Sequence, residues 1–276
     1  MAEDDDMELP TETDEGLPAT NSEKGSREGK GSPIKRVLID REGDRFYYRD
    51  ADVHTRFGFV RKAEIEAAEP GALLKTNMGR ELFVLEPGFM DRYARIRRGA
   101  QIIPLKDVGH IIAETGINSK SRVVDAGAGS GGLCCMLANI CKEVITYDIR
   151  DDFLEIVKKN KESLDLKNLK IKKASIYEGI KERDMDVVTL DLPEPWLAVK
   201  PAAEALKVGG YIVSYSPSVP QVMDFVAALR QDERLIFLKT IEISEREWDV
   251  DERKVRPKSQ TIGHSGFMTF ARKIKG

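Results

Sequence analysis

The sequence has few cysteines and no long hydrophobic run. Its three cysteines, Cys134, Cys135 and Cys141, lie close together in the chain, and this odd number without distant partners excludes a disulfide scaffold and the usual ligand spacing of a zinc site. No segment approaches the roughly 18 apolar residues that span a membrane, and the N-terminus lacks the basic and then apolar order of a signal peptide. We therefore expect a soluble, cytoplasmic protein with reduced cysteines, no bound metal and no membrane contact.

Aromatic residues are also few, but the composition as a whole is that of an ordinary globular protein. They make up 7% of the 276 residues, with 41% hydrophobic and 33% charged, which excludes collagen-like and wholly disordered chains. The length fits one large domain accompanied by a smaller one.

The negative charge is concentrated at one end of the chain. Residues 1–32 hold ten acidic and three basic residues, a net of −7, so the whole-chain charge of −3 leaves +4 for residues 33–276. The first 32 residues have almost no apolar side chains to bury, and we expect a disordered acidic tail there. The rest of the chain is mildly basic, which is compatible with a nucleic-acid partner.

The pattern of residues 33–276 changes near residue 98. Before it, short apolar runs alternate with Gly, Asp, Asn and Pro, which predicts a small β-domain over residues 33–98. After it, strands are predicted at 123–124, 144–147, 169–172, 185–190 and 211–215, and helices around 108–112 and at 133–140, 151–164, 196–206 and 219–229. Two strands, 235–243 and 266–271, close the chain. We predict a doubly wound α/β domain over residues 99–276 whose last strands form a hairpin, at least one of them antiparallel.

A glycine-rich turn follows the first strand of the α/β domain. Gly127, Gly129 and Gly132 satisfy the dinucleotide fingerprint, in which glycines let a ligand approach the backbone amides. Three features favour S-adenosylmethionine over a nicotinamide cofactor: Asp125 two residues before the first glycine, where a carboxylate can meet an ammonium group, the terminal strand pair, and the segment Asp-Leu-Pro-Glu-Pro-Trp at 191–196.

Asp148, which ends the next predicted strand, and Phe153, which follows it, are candidates for binding the nucleoside part of the ligand. Asp148 follows Gly127 by 21 residues, the spacing at which a carboxylate takes ribose hydroxyls; the alternative is a solvated acid that favours the dipole of the next helix. Phe153 either covers the adenine face or belongs to the helix core.

Asp191 ends the fourth strand of the domain. Because the carboxyl ends of parallel strands meet at one edge of the sheet, we expect it near the glycine loop. There it can accept a hydrogen bond from the exocyclic amine of a base, or its proton, with Pro193, Pro195 or Trp196 as a flat surface. The alternative is that Asp191 caps the following helix.

Several segments together resemble the archaeal and bacterial tRNA (adenine-N1)-methyltransferases. They are Gln101-Ile102-Ile103, Lys106-Asp107, the glycine loop, Tyr147 to Arg150, Leu190 to Trp196, Arg253 to Pro257, Gly263 to Phe267 and Ala271-Arg272-Lys273. The match covers roughly residues 34–274. It implies a Rossmann-like class I methyltransferase, a homotetramer that methylates N1 of adenine in the tRNA T loop, at position 58 and in some archaeal members also 57.

The residue arguments and the resemblance together define the candidate site. Asp191 is the catalytic candidate. The candidates for binding S-adenosylmethionine are Gln101, Asp125, Gly127, Gly129, Ser130, Gly131, Leu133, Asp148, Phe153, Ser175 and Asp191. The candidates for binding tRNA are Arg98, Trp196, Arg253, Arg256 and His264, although the basic residues could form a solvated face and His264 could be a packed histidine.

Two departures from the family pattern affect this site. Pro104-Leu105 stands where the family has Tyr-Pro, so an aromatic expected near the target adenine is missing; Trp196, Tyr177 or a neighbouring subunit could substitute. Ala174-Ser175 stands where the family has Gly-Asp, so the adenine amine of the cofactor would meet a hydroxyl group.

Three other functions remain as alternatives. One is a class I methyltransferase acting on another RNA, a protein or a small molecule; the paired-proline segment and two clusters of basic residues speak against a protein or small-molecule acceptor. The clusters are Arg92, Arg95, Arg97 and Arg98, and Arg253, Lys254, Arg256 and Lys258. An RNA-binding subunit without catalysis would need a degraded cofactor loop, whereas the loop, Asp148 and Asp191 are intact. A nicotinamide dehydrogenase has no evident partner for hydride transfer.

Overall fold

The computed structural model describes residues 33–260 and 262–276, so the predicted acidic tail over residues 1–32 lies outside the described residues. The chain divides into two compact units, one up to Arg92 and one from Tyr93 to Gly276. In the described part of the chain, no helix combines the length and the apolarity needed to cross a membrane.

The first unit is a small antiparallel β structure. Its four-stranded sheet has the order β2-β1-β6-β5, and β3 and β4 form a separate hairpin. Leu38, Tyr48, Ile65 and Leu82 fill its core. The elements up to the boundary are β1 (Arg36–Ile39), β2 (Arg45–Tyr48), β3 (Val53–Thr55), β4 (Gly58–Val60), α1 (Lys62–Ala67), β5 (Leu73–Lys75), β6 (Glu81–Leu85) and α2 (Phe89–Tyr93).

The second unit is an α/β fold, as predicted. Its elements are α3 (Leu105–Thr115), β7 (Arg122–Ala126), α4 (Gly132–Ala138), β8 (Glu143–Asp148), α5 (Asp151–Ser163), β9 (Leu169–Lys173), β10 (Met185–Leu190), α6 (Val199–Ala205), β11 (Leu206–Ser216), α7 (Val219–Gln231), β12 (Leu235–Ile241), β13 (Trp248–Asp251), β14 (Lys254–Pro257) and β15 (Phe267–Lys273). Short 3-10 helices lie at Ile176–Glu178 and Pro195–Ala198.

The order of strands in the large sheet positions the ligand site. The seven strands run β12-β15-β11-β10-β7-β8-β9, and the five strands from β11 to β9 are parallel to one another. From β7 the chain winds outward through β8 to β9 and then crosses to β10 on the other side of β7. This reversal is a topological switch point, where ligands bind at the carboxyl ends of open α/β sheets.

The last two predicted strands pair with each other as expected, with a longer connection between them. β15 lies between β11 and β12 and is antiparallel to both, so the antiparallel pairing is confirmed. The connection from β12 to β15, however, carries a two-stranded ribbon of β13 and β14 that the sequence analysis did not predict. Charged and apolar residues alternate there without the apolar run of a core strand.

The boundaries of two other elements differ from the predicted ones. The helix predicted at 196–206 begins as the 3-10 helix Pro195–Ala198 and continues as α6. β11 starts at Leu206, earlier than predicted, because Leu206 still pairs with Met185 of β10. The pairing is irregular between Met185 and Val187. Gly209 lies in the irregular part of β11 with a φ of +86°, a conformation that glycine adopts readily.

Candidate active site

The glycine loop and the end of β10 are in direct backbone contact. The Asp191 amide donates to the Ala126 carbonyl oxygen over 2.9 Å. A Cβ atom added to Gly127 would lie 1.9 Å from the Asp191 carbonyl oxygen. Only glycine fits at this position. The absence of a side chain lets the loop after β7 pack directly against the Asp191 backbone at the switch point.

The Asp191 carboxyl group is only partly exposed and has no hydrogen-bond partner among the described residues. Burial raises the pKa of Asp191 to about 7, with a smaller contribution from the negative charge of Asp125. At a pH near 7 the protonated and ionised forms of this carboxyl group are both populated, and the ionised form is suited to accept a hydrogen bond or a proton from a ligand. The alternative of a helix cap has no support, because no side-chain bond from Asp191 to the following 3-10 helix is found.

A small apolar recess adjoins Asp191. Its lining residues are Ile103, Ile111, Leu133, Thr189, Leu190, Asp191, Val213 and Tyr215. Tyr215 supplies the aromatic ring of this lining, and its hydroxyl group donates to Asp107 Oδ2 over 3.2 Å. Tyr215 was not predicted as a site residue, although its place near the end of a parallel strand is a signal that could have identified it.

Asp125 lies beneath the glycine loop, between the two strands that flank β7. Its carboxylate oxygens accept hydrogen bonds from Thr146 Oγ1 at 2.7 Å and Thr189 Oγ1 at 2.8 Å. It is buried, and burial raises its pKa to about 6, partly offset by the two threonine hydrogen bonds. The two threonines fix the carboxylate in place, and its contact with a ligand ammonium stays a prediction.

Asp148 organises the loops at the ends of β7 and β8. Oδ2 accepts the Gly129 amide at 3.1 Å, and Oδ1 accepts the Arg150 amide at 2.9 Å. The helix α5 begins only at Asp151, with Arg150 as its N-cap. Asp148 therefore holds the glycine loop against the β8 turn, at the position predicted for ribose recognition.

Ser130 and Asn160 fasten a distant segment onto the glycine loop. The Ser130 hydroxyl accepts the amides of Gly99 and Ala100 and donates to the Ala100 carbonyl, which uses its one donor and two acceptor positions. Asn160, buried in α5, accepts the Arg97 amide and donates to the carbonyls of Arg97 and Ser130. The segment at 97–100, which leads into Gln101, is fixed by these bonds. Asn160 was not predicted.

The remaining cofactor candidates occupy different surroundings. Gln101 is exposed, whereas Leu133 is buried in the recess. Phe153 is half-buried beneath the Arg150 guanidinium, 3.8 Å from its ring centre. Ser175 Oγ accepts the Tyr177 amide at 3.3 Å and caps the 3-10 helix after β9.

The candidates for tRNA binding are less close together. Trp196 is partly exposed in the 3-10 helix after Asp191, and Arg98 is exposed. Arg253 and Arg256 are exposed on the ribbon, where Arg256 lies opposite Asp249.

His264 contacts protein groups in this structure. Its Nδ1 lies 2.5 Å from Glu242 Oε1 and its Nε2 lies 3.0 Å from the Pro217 carbonyl oxygen. The bond to Glu242 and then that to Pro217 raise the pKa of His264. The side chain stays exposed despite these contacts, and its role in binding RNA stays a prediction. Among the described residues, no group of three or more His, Cys, Asp or Glu could hold a metal ion.

The site fits a nucleoside ligand on its own geometry. Gly129 leaves room, since a Cβ there would meet nothing closer than 3.7 Å, and carboxyl groups stand at the ends of β8 and β10. Asp191 has a carboxyl group without a protein partner among the described residues, beside an apolar recess. This carboxyl group is free to hydrogen-bond to the edge of a ligand.

Comparison with known proteins gives a consistent group of relatives. Residues 93–256 match a family described as the tRNA methyltransferase complex GCD14 subunit. The chain is 35% identical to a tRNA (adenine(57)-N(1)/adenine(58)-N(1))-methyltransferase TrmI of Methanocaldococcus jannaschii, covering 86% of this chain and 94% of the relative. It is 30% identical to a tRNA (adenine(58)-N(1))-methyltransferase TrmI of Thermus thermophilus, covering 87% and 96%.

A solved structure agrees with these relatives in fold. A SAM-dependent O-methyltransferase from Thermotoga maritima superposes with a TM-score of 0.79 at 27% identity, covering 90% of this chain and 95% of that chain.

Proposed function

Because the chain belongs to the family of the tRNA methyltransferase complex GCD14 subunit, we propose that it transfers a methyl group from S-adenosylmethionine to N1 of adenine in the T loop of tRNA. Position 58 is the expected target, with position 57 as a second one, since both are named for the archaeal relative. The observation that carries the proposal is the carboxyl group of Asp191, without a protein partner in the described chain, beside an apolar recess and against the glycine loop.

The cofactor site is proposed at the switch point of the sheet. S-adenosylmethionine supplies an electrophilic methyl group on a sulfonium centre. The glycine loop would accept it, with Asp125 near its ammonium group, Asp148 at the ribose, and Phe153 and Ser175 at the adenine. Gln101, Leu133 and the amide of Ser130 complete this set. The Ser130 hydroxyl is already saturated by Gly99 and Ala100, so its contribution is to hold the loop.

The chemistry asks for position more than for a strong base. N1 of neutral adenine carries a lone pair, so the protein gains most of its acceleration from orienting that atom toward the methyl group. Methylation makes the ring cationic. Asp191 would stabilise that charge through the N6 amine or accept the N6 proton, a contribution of about 10²–10⁴-fold.

Access to N1 requires the target nucleotide to leave its stack. N1 lies on the Watson–Crick edge, which is hidden in a folded T loop, and base-modifying enzymes extrude such a nucleotide into a pocket. The space beside the partly exposed Asp191 carboxyl group is the proposed position of the extruded adenine. Trp196 is the proposed flat surface against it, in place of the aromatic residue that the family has where this chain has Pro104.

Basic side chains are proposed to hold the tRNA backbone. Arg98 and Arg253 are exposed and suited to phosphate contact. Arg256 faces Asp249 across the ribbon, so part of its charge is compensated locally, and we expect a weaker contribution. Each phosphate neutralised should add roughly 0.7–0.9 to the salt slope of binding. A tRNA substrate also supports a cytoplasmic location, which stays a prediction.

The ribbon supports the proposed homotetramer. Residues directly opposite in an antiparallel pair share a face, so Trp248, Val250, Val255 and Pro257 form one apolar face and the charged pairs form the other. Val250 is 72% exposed. An isolated two-stranded ribbon is marginal in water, and covering this face with a second copy would stabilise it.

The test is methylation of unmodified tRNA with labelled S-adenosylmethionine, followed by digestion. We expect labelled 1-methyladenosine, formed about 10²–10⁴-fold more slowly with Asp191→Ala. No product with the wild-type chain would refute the function, and unchanged product with Asp191→Ala would refute the mechanism. The Thermotoga neighbour is named an O-methyltransferase, so label on a hydroxyl group of the RNA or of a small molecule would favour the alternative acceptor.

A further inference from the structure

A buried ion pair lies in the first turn of the helix α3. Lys106 Nζ lies 2.8 Å from Asp107 Oδ1, and the two side chains are 9% and 0% exposed. Lys106 also donates to Ser265 Oγ at 2.6 Å and to the Ile243 carbonyl oxygen at 2.8 Å. These bonds use all three of its N–H donors. A buried pair is a poor source of stability in itself, so its value lies in what it holds in place.

The second oxygen of Asp107 extends the network to the recess. Asp107 Oδ2 accepts Ser265 Oγ at 2.8 Å and the Tyr215 hydroxyl at 3.2 Å. The Tyr215 ring is confined from another side, because a Cβ atom at Gly266 would lie 2.4 Å from its Cζ atom. Tyr215 is therefore fixed at its hydroxyl by Asp107 and at its ring by Gly266.

The same network joins both ends of the connection between β12 and β15, which we call the arm. Ile243 lies just after β12, and Ser265 just before β15. His264, just before β15, also contacts Glu242, just after β12, and the Pro217 carbonyl oxygen, so a second pair of contacts joins the two ends of the arm. Lys106 thus ties the base of the arm, which carries the ribbon, to the wall of the recess beside Asp191.

We propose that Lys106 is a positioning residue for methyl transfer. Through Asp107 and Ser265 it fixes Tyr215 and the base of the arm in the arrangement that receives the target adenine beside Asp191. This inference rests on the proposed function. It differs from a cofactor role, because Lys106 contacts Asp107, Ile243 and Ser265 and not the glycine loop or Asp148.

The test is Lys106→Met in the full chain, with Lys273→Met as the matched control. Lys273 is also a buried lysine, but its Nζ donates to the Leu206 carbonyl at the opposite end of β11. We expect Lys106→Met to lower kcat about 10- to 100-fold and to raise KM for tRNA, with S-adenosylmethionine affinity changed less than about twofold. Lys273→Met should lose less thermal stability, because it leaves no buried carboxylate unpaired, and its kcat should be nearly unchanged. Equal kcat in the two variants, or parallel loss of cofactor affinity in Lys106→Met, would overturn the inference.

A second variant decides the case in which Lys106→Met does not fold. Ser265→Ala removes the bridging hydroxyl without burying an unpaired charge, and we expect it to lower kcat while leaving cofactor affinity unchanged. Wild-type kcat in Ser265→Ala would overturn the inference even if the wild-type chain forms 1-methyladenosine. Absence of product from the wild-type chain would instead count against the proposed function.

Discussion

The carbonyl oxygen of Asp191 occupies the space that a side chain at Gly127 would need, with 1.9 Å separating it from an added Cβ atom. Gly127→Ala should therefore displace either the glycine loop or Asp191. We expect at least a tenfold loss of S-adenosylmethionine affinity, measured by calorimetry.

Gly116→Ala is the matched control for this substitution. Gly116 also has a positive φ, +67°, but an added Cβ atom there meets nothing within 4 Å. It should show only the strain of a left-handed residue, about 1–2 kcal/mol. Equal cofactor affinity in the two variants would contradict the contact.

The raised pKa of Asp191 predicts a pH-dependent rate. If the ionised carboxylate is the active form, kcat/KM should rise with pH, with a midpoint near the pKa of about 7, and level off above it. Asp191→Asn should lower the rate by about 10²–10⁴-fold and abolish this midpoint. A midpoint that persists in Asp191→Asn would assign it to another group.

The same pKa predicts a pH-dependent gain in stability on removing the charge. The folded state binds the proton of the Asp191 carboxyl group more tightly than the unfolded state does. The contribution of Asp191 to the free energy of unfolding therefore falls as pH rises from about 4 to about 7. Asp191→Asn should raise Tm relative to the wild type, with a difference that grows from pH 4 to pH 8 in a thermal scan. A difference that shrinks over this range would show that burial does not disfavour the carboxylate.

Asn160 should control the cofactor site at a distance. Asn160→Asp removes the two donors to Arg97 and Ser130 and should release the segment at 97–100, with a loss of about 1–3 kcal/mol per unpaired buried group. Asn168→Asp is the control, because Asn168 also donates to two carbonyls, those of Ala138 and Cys141. Only Asn160→Asp should weaken S-adenosylmethionine binding; equal weakening in both would indicate a general loss of stability.

The apolar face of the ribbon should govern assembly. Val250→Glu places a charge on that face and should dissociate the proposed tetramer, as measured by light scattering, whereas Asp249→Asn on the opposite face should leave the mass unchanged. A tetramer that persists in Val250→Glu would place the subunit contacts elsewhere.

Much of the fold follows from local patterns in the sequence. The buried strands β7, β8 and β10 and the amphipathic helix α5 were predicted because burial and backbone geometry impose short periods on the chain. The glycine loop, Asp148 and Asp191 were found because they end parallel strands, and such ends meet at one edge of the sheet.

The supporting contacts had no such signal. Asn160 meets Arg97 across 63 residues, Tyr215 meets Asp107 across 108, and Lys106 meets Ser265 across 159. The ribbon was missed because its alternation of charged and apolar residues becomes two distinct faces only through its pairing register.

The sequence by itself determined the sheet, the glycine loop and the carboxyl groups at the strand ends, since these depend on the backbone conformation of neighbouring residues. The tertiary structure alone decided which polar side chains are saturated by the protein, as Ser130 is, and which lack a protein partner in the described chain, as Asp191 does. The physical reason is that the free energy of a buried polar group depends on partners that only long-range packing brings within hydrogen-bond distance.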